Sequence, residues 1–322
     1  MKYKKIILFI FILFINFYIT SCKNIENDNI SIISTNYVGY DFAKNITKDI
    51  DVDTKMLLKP GCDVHNYSPS TKDVIDIINC NLFIYVGGES DSIWVEKNII
   101  PQIDKNKTII ISMFDVLKND SNANLYYEEE LDNEKAILDE YDEHIWNDYN
   151  NSLIILNAIL NSLKEISPNN IDILSNNYEK YKNAILNIKN DIEKLVLNKS
   201  IYMIFADRFP LLYFVKSYNI KYDAALKGCS NNVSIGAKSL IRLKNEIENN
   251  ELKYIFTIEL SSNLIANTII EEIKNDKSYS GPIPEVKTFY SMHNISKEDF
   301  ENEITFVDFM QKNYETLKLL IN

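Results

Sequence analysis

The stretch "NYEKYKNAILNIKNDIEKLVL", residues 177–197, decides the architecture. Tyr178, Tyr181, Ile185, Ile188, Ile192 and Leu195 follow one another at intervals of three and four residues. That spacing lays apolar side chains along one face of an α-helix and leaves lysine, asparagine and acid on the other. A second helical stretch, "SLIILNAILNSLKEI" (152–166), stops short of Pro168, which cannot continue a helix. The later and longer one is expected to be a stiff connecting helix over residues 171–198.

On either side of it, β and α signals take turns. Before it, "SIISTN" (31–36), "TKMLLK" (54–59), "NLFIYVGG" (81–88) and "KTIIISM" (107–113) are short apolar runs, with helical "GYDFAKNITKDI" and "STKDVIDIIN" between them. From Ser200 the strands are "SIYMIFA", "KYDAAL", "YIFTIEL" and "VKTFYSM", separated by three helical stretches and closed by a helix from about Thr305 to Leu320. Strands alternating with helices imply parallel pairing with helices on both faces. The expected fold is therefore α/β in two lobes, each a parallel sheet flanked by helices, covering residues 30–170 and 199–322. Residues 117–144, "LKNDSNANLYYEEELDNEKAILDEYDEH", are acidic without clear periodicity and read as a long exposed loop.

The N-terminus speaks to compartment. Lys2, Lys4 and Lys5 precede an apolar run from Ile6 to Ile19, and Thr20 and Ser21 precede Cys22. A basic start, a short apolar run and small residues make a secretory signal peptide over 1–21. Cys22 would then be lipidated, residues 22–29 a tether, and the lipid an anchor to the outer face of the cytoplasmic membrane or in the periplasm. Cleavage removes three lysines and no acid, taking the net charge from −12 to −15. Such a surface repels nucleic acid and draws cations; a monomer is expected. Cys62, Cys80 and Cys229 remain, an odd number that allows at most one internal disulfide.

The chain has only three histidines. His65 sits in "GCDVHNYSPSTKDV" (61–74) just past a strand, His144 in "DEHIWND" (142–148) after the acidic segment, and His293 just past "VKTFYSM". Loops at the carboxyl ends of parallel strands converge on ligands. Each imidazole also has a polar or carboxylate neighbour: Asn66, Asp142 with Glu143, or Asn294. A metal-bound imidazole commonly donates its second N–H to such a group. Three imidazoles and one oxygen suit Zn²⁺, whereas Mn²⁺, the alternative, leans toward carboxylate. Cys62 and His65 have the C-x-x-H spacing of a zinc pair, against which a buried or disulfide-linked Cys62 is the preferred reading. No H-E-x-x-H helix of a secreted zinc hydrolase is present, so no enzymatic activity is expected. The other rival reading is a surface adhesin whose zinc is structural, which would unfold without its metal.

"GCDVHNYSPSTKDV", "NLFIYVGGESDSIWVEK" and "DEHIWND", with "FADRFPLLYFVKSYNI", "KGCSNN", "YIFTIELSSNLIA" and "FYSMHNISKEDFENEITFVDFMQKNYETL" in the second half, resemble the zinc and manganese substrate-binding lipoproteins of bacterial ABC importers. The resemblance implies two lobes, one long helix between them, one metal in the cleft and an ABC permease as partner. It implies His65 and His144 as the first two ligands. The family's third ligand falls where this chain has Ala206 and Asp207, which makes Asp207 the candidate, unless it pairs with Arg208 or caps the next helix. The fourth, usually a carboxylate, falls at His293. Glu259 or water could substitute. Trp94 is expected to pack and Trp146 to shield the metal. Cys229 matches a cysteine that in some relatives pairs just before the last ligand, where Met292 stands here.

Overall fold

The computed structural model describes residues 29–62, 67–88, 91–128, 140–226 and 235–321. The first sheet is built from β1 (Ile30–Ser34), β2 (Val52–Met56), β3 (Leu82–Tyr85) and β4 (Ile109–Ser112). Its order is β2-β1-β3-β4, and all pairs are parallel. Helices α1 (Tyr37–Ile46), α2 (Thr71–Asn79) and α3 (Met113–Lys118) connect or follow these strands, and α4 (Tyr149–Ile166) and α5 (Ile171–Val196) come next. The second sheet uses β5 (Tyr202–Phe205), β6 (Lys221–Ala224), β7 (Tyr254–Thr257) and β8 (Glu285–Thr288) in the order β6-β5-β7-β8, again parallel. Its helices are α6 (Leu212–Ser217), α7 (Ala237–Asn249), α8 (Leu264–Asn275), α9 (Lys297–Glu301) and α10 (Phe306–Leu319).

Strand period explains how the core divides. Along β3, Leu82 and Ile84 point to one side and Phe83 and Tyr85 to the other; along β5, Met203 and Phe205 oppose Ile204. The outer faces make two separate clusters, one under α2 and one under α7 and α8. The inner faces instead join one continuous cluster with α1, α4, α5, α6 and α10. Helix α5 enters it through Tyr181, Ile185, Ile188 and Ile192 of the stripe read from the sequence, with Leu174 added; the stripe's ends, Tyr178 and Leu195, pack against it half-buried. Helix α5 runs 26 residues, about 39 Å at 1.5 Å per residue.

Caps fix where the helices begin. Asp148 accepts from Asn150 N and Asn151 N at the start of α4, and Ser70 with Asp73 forms a capping box on α2, as Thr305 with Asp308 does on α10. Gly39, in the first turn of α1, lies so close to the sheet that an added Cβ would meet Ser34 Oγ at 2.5 Å and Ile84 Cγ2 at 2.8 Å. Gly39→Ala should therefore overpack this contact and lower stability by about 1–3 kcal/mol. Denaturant titration checks it: an unchanged midpoint would show that the helix slides without cost.

Three expectations shift. The strand expected at 54–59 lies at Val52–Met56, and Leu57 and Leu58 are buried beyond its end. Cys62 is exposed and Cys80 buried, and they are not bonded to each other. The preference for a buried or disulfide-linked Cys62 is thus corrected: it follows a turn in which Cys62 N donates to Lys59 O, and this leaves it at the surface. Cys22 and Cys229 lie outside the described residues. The two described ends of 117–144 turn inward rather than lying exposed throughout. Tyr127 and Tyr141 bridge antiparallel with stacked rings, and Tyr126 N donates to Tyr213 Oη at 3.2 Å.

Candidate metal centre

His144 is 1% exposed and heads a short 3₁₀ turn, Ile145–Asn147. The turn is pinned on several sides. Asn147 Nδ2 donates to Pro210 O at 2.9 Å, Asn151 Nδ2 to Ile145 O at 3.2 Å, and Trp146 Nε1 to Ser291 O at 2.8 Å. Two of those acceptors belong to the second half of the chain. The His144 ring is oriented by Asp142, whose Oδ1 accepts from His144 N at 2.8 Å and lies 3.0 Å from Nδ1. An ionised carboxylate only accepts, so the proton of the ring sits on Nδ1 and Nε2 presents its lone pair.

That lone pair faces His293. His144 Nε2 and His293 Nδ1 are 2.8 Å apart across 149 residues of sequence. Trp146 stands edge-on to both rings, with centroids at 5.6 Å and 6.2 Å. The indole thus covers the imidazole pair while its N–H ties their two turns together. Trp94 packs against Tyr67.

The His293 turn follows β8 by five residues and carries Met292 in the left-handed region at φ 57°. Glu259, after β7, receives this turn. Its Oε1 accepts from Ser291 Oγ at 2.6 Å, His293 N at 2.9 Å and Asn294 N at 3.4 Å, and its Oε2 from Ser291 N at 2.8 Å. Burial raises the Glu259 carboxyl above its ordinary range, and the Ser291 and Asn294 donors oppose that rise. Both oxygens are therefore engaged with the turn.

Of the remaining candidates, Asp207 accepts from Arg208 N at 2.8 Å through Oδ1, while Oδ2 is buried with no hydrogen-bond partner. One oxygen of this carboxylate is thus engaged by the next residue's backbone N–H and the other is not. His65 lies outside the described residues, but Gly61 N donates to Ile295 O at 2.8 Å, which brings the start of that loop to within two residues of His293 in the chain. Among the described residues no group of three or more histidine, cysteine, aspartate and glutamate side chains is placed to hold a metal ion. The structure brings His144 and His293 together, with Asp142 behind the first and Glu259 behind the second.

The pair fits a tetrahedral cation. With Zn–N bonds of about 2.0–2.1 Å, two imidazole nitrogens on one zinc stand about 3.3 Å apart, so these rings need part by only about half an ångström from 2.8 Å. The unpartnered Asp207 oxygen is a hard donor of a type zinc accepts, but among the described residues Asp207 does not group with this pair.

The first sheet ends in a second carboxylate clamp near this site. Asp91 Oδ2 accepts from Val86 N and Gly87 N at 3.0 Å each, and burial moves its carboxyl up to about 6, with Glu143 adding to the rise. Gly87, at φ 81°, could not carry a side chain without striking Ser112 Oγ. Sequence reading did not anticipate either clamp. The only signal was an acid placed just after an apolar strand or turn.

Two parallel sheets that share an inner core, with an imidazole pair at their loop ends, define a bilobal metal-binding architecture. The chain belongs to the ZnuA family, described as "Zinc-uptake complex component A periplasmic", whose model matches residues 32–319. The chain is 22% identical to the zinc-binding protein AdcA of Streptococcus pyogenes over 98% of its length, spanning 61% of that relative. It is 23% identical to the high-affinity zinc uptake system protein ZnuA of Bacillus subtilis over 91% of its length and 88% of the relative's. The first of these is thus matched over only about three-fifths of its length. The fold is similar to that of the Zn(II)-bound ZnuA-like domain of AdcA from Streptococcus pneumoniae, with a TM-score of 0.70 at 21% identity over 91% of this chain and 99% of that one. It is also similar to the periplasmic zinc-binding protein TroA from Treponema pallidum, with a TM-score of 0.72 at 16% identity over 91% and 99%.

Proposed function

We propose that the protein captures Zn²⁺ outside the cytoplasmic membrane and delivers it to an ABC permease. It is held at the membrane by a lipid on Cys22 and acts as a monomer that binds no nucleic acid. His144 and His293 are ligands, with His65 and Asp207 completing the set; no covalent step takes place. The observation that carries this reading is the His144 Nε2 to His293 Nδ1 contact, two ring nitrogens aimed at one point and backed by Asp142. Membership of the zinc-uptake family supports it.

Capture exchanges a proton for a cation. The proton shared between the two rings must leave before both nitrogens can ligate, so affinity falls as protons compete for them. The Asp142 carboxylate stays paired with His144 Nδ1 and holds the lone pair toward the ion. Because the inner core runs through both halves and α5, closure is carried by small movements of rings and turns rather than by a wide hinge.

Metal-stripped protein titrated against a chromophoric chelator tests the reading. We expect one Zn²⁺ per chain and a preference over Mn²⁺ of more than 100-fold, from the nitrogen-rich donor set. A solved structure of similar fold, a single-residue variant of the periplasmic metal-binding protein of Candidatus Liberibacter asiaticus, is Mn-bound; equal or stronger Mn²⁺ binding here would move this chain to that reading. The stripped protein should stay folded, as a carrier must, whereas loss of its cooperative melt would mark the metal as structural.

A further inference from the structure

We propose that Glu259 is a positioning residue: it fixes the turn that carries His293 so that Nδ1 faces His144, and it makes no bond to the cation. The inference rests on the reading that His293 ligates Zn²⁺. A carboxylate has about two lone-pair positions on each oxygen; Ser291 Oγ, His293 N and Asn294 N converge on Oε1 and Ser291 N engages Oε2, so both oxygens are drawn onto the turn. Three of these are backbone N–H groups of consecutive or near-consecutive residues converging on one anion, a nest whose preferred occupant is a negative charge.

The turn needs such a clamp. Met292 is a buried non-glycine residue in the left-handed region, a conformation that persists only where the surroundings over-determine it. Glu259 holds the turn from the end of β7, and Trp146 holds it from the first half through Ser291 O. His293 N also lies 3.3 Å from Ser291 Oγ, so the hydroxyl donates to Glu259 and accepts from the residue whose ring must be aimed. The clamp thus grips His293 by its backbone N–H, one bond from the Cα that sets where the ring starts. The direction of Nδ1 toward His144 follows from the backbone beneath it.

Glutamine at 259 is a sharp probe because it keeps the volume but turns one acceptor into an NH₂ donor facing N–H groups. Zn²⁺ competition titrations on the full chain should show Glu259→Gln weakening affinity about 10–100-fold, with one ion per chain retained. In the His293→Ala background, the same change should cost nothing further, because Glu259 acts only through that ring. Wild-type affinity in the single variant would overturn the proposal. So would a double variant weaker than His293→Ala by the full single-variant factor, the signature of a ligand in its own right. An unaltered His293→Ala titration would instead remove the ligand reading beneath the inference. Should Glu259→Gln fail to fold, Ser291→Ala removes one donor of the same clamp and takes its place in the cycle, with a smaller loss expected.

Discussion

His144→Ala is expected to weaken Zn²⁺ binding by at least 100-fold, and His293→Ala by about as much. A four-ligand zinc site is worth about 10–16 kcal/mol near neutral pH, so one ligand accounts for about 3 kcal/mol. At about 1.4 kcal/mol per factor of ten, that is two orders of magnitude. His144 should show the larger loss of stability as well. Its removal opens a hole at a 1%-exposed position and leaves Asp142, 2% exposed, without the ring N–H it accepts from. Competition titration with each variant decides the matter. Retention of wild-type affinity by either would exclude that ring from the site.

The second large effect concerns acidity and lies away from the metal. Asp41, on α1, is 4% exposed and accepts from Tyr181 Oη of α5 and Asn45 Nδ2. Burial raises its carboxyl to about 7, against the stabilising hydrogen bonds from Tyr181 and the backbone of Phe306. Asp308 opposes the charge and Lys44 favours it. An unfolded aspartate titrates near 3.9. The native state thus holds a proton that the unfolded chain has lost between about pH 4 and pH 7, and stability falls as pH rises through that window. The gap corresponds to up to about 4 kcal/mol, a large part of a typical total of 5–15 kcal/mol. Asp41→Asn should flatten the profile and raise stability above pH 7, in urea titrations from pH 4.5 to 8. Asp91, displaced in the same direction to about 6, leaves a smaller slope of its own. Asp73, held near 2 by Lys55, contributes only at lower pH. A variant as pH-dependent as the parent would refute the assignment.

The alternation of strands and helices was legible because each element carries its own period. The stripe from Tyr181 to Ile192 marked the connecting helix, and the apolar runs marked each of the eight strands among the described residues. Strand ends were less legible, since burial and strand pairing part company there. Phe289, Ser291 and Met292 are buried by a clamped turn beyond β8, yet in sequence they extend the strand "VKTFYSM". The three histidines could be singled out by scarcity, and His65 and His293 also by their place after strands. Their pairing could not, because His144 meets His293 through contacts spread over two sheets. The second role of Trp146 was hidden for the same reason: its N–H acceptor, Ser291 O, is 145 residues away.

The undivided inner core has a further implication for how this chain comes into being. The inner face of the first sheet is covered by its own α1 and by α4, and α10 in turn packs on α1 and α5. A nascent chain would leave the surface that α10 covers on α1 and α5 exposed until that last helix arrives, a state prone to sticking to other chains. The molecule would thus close as a single late unit, not as two beads finished in turn.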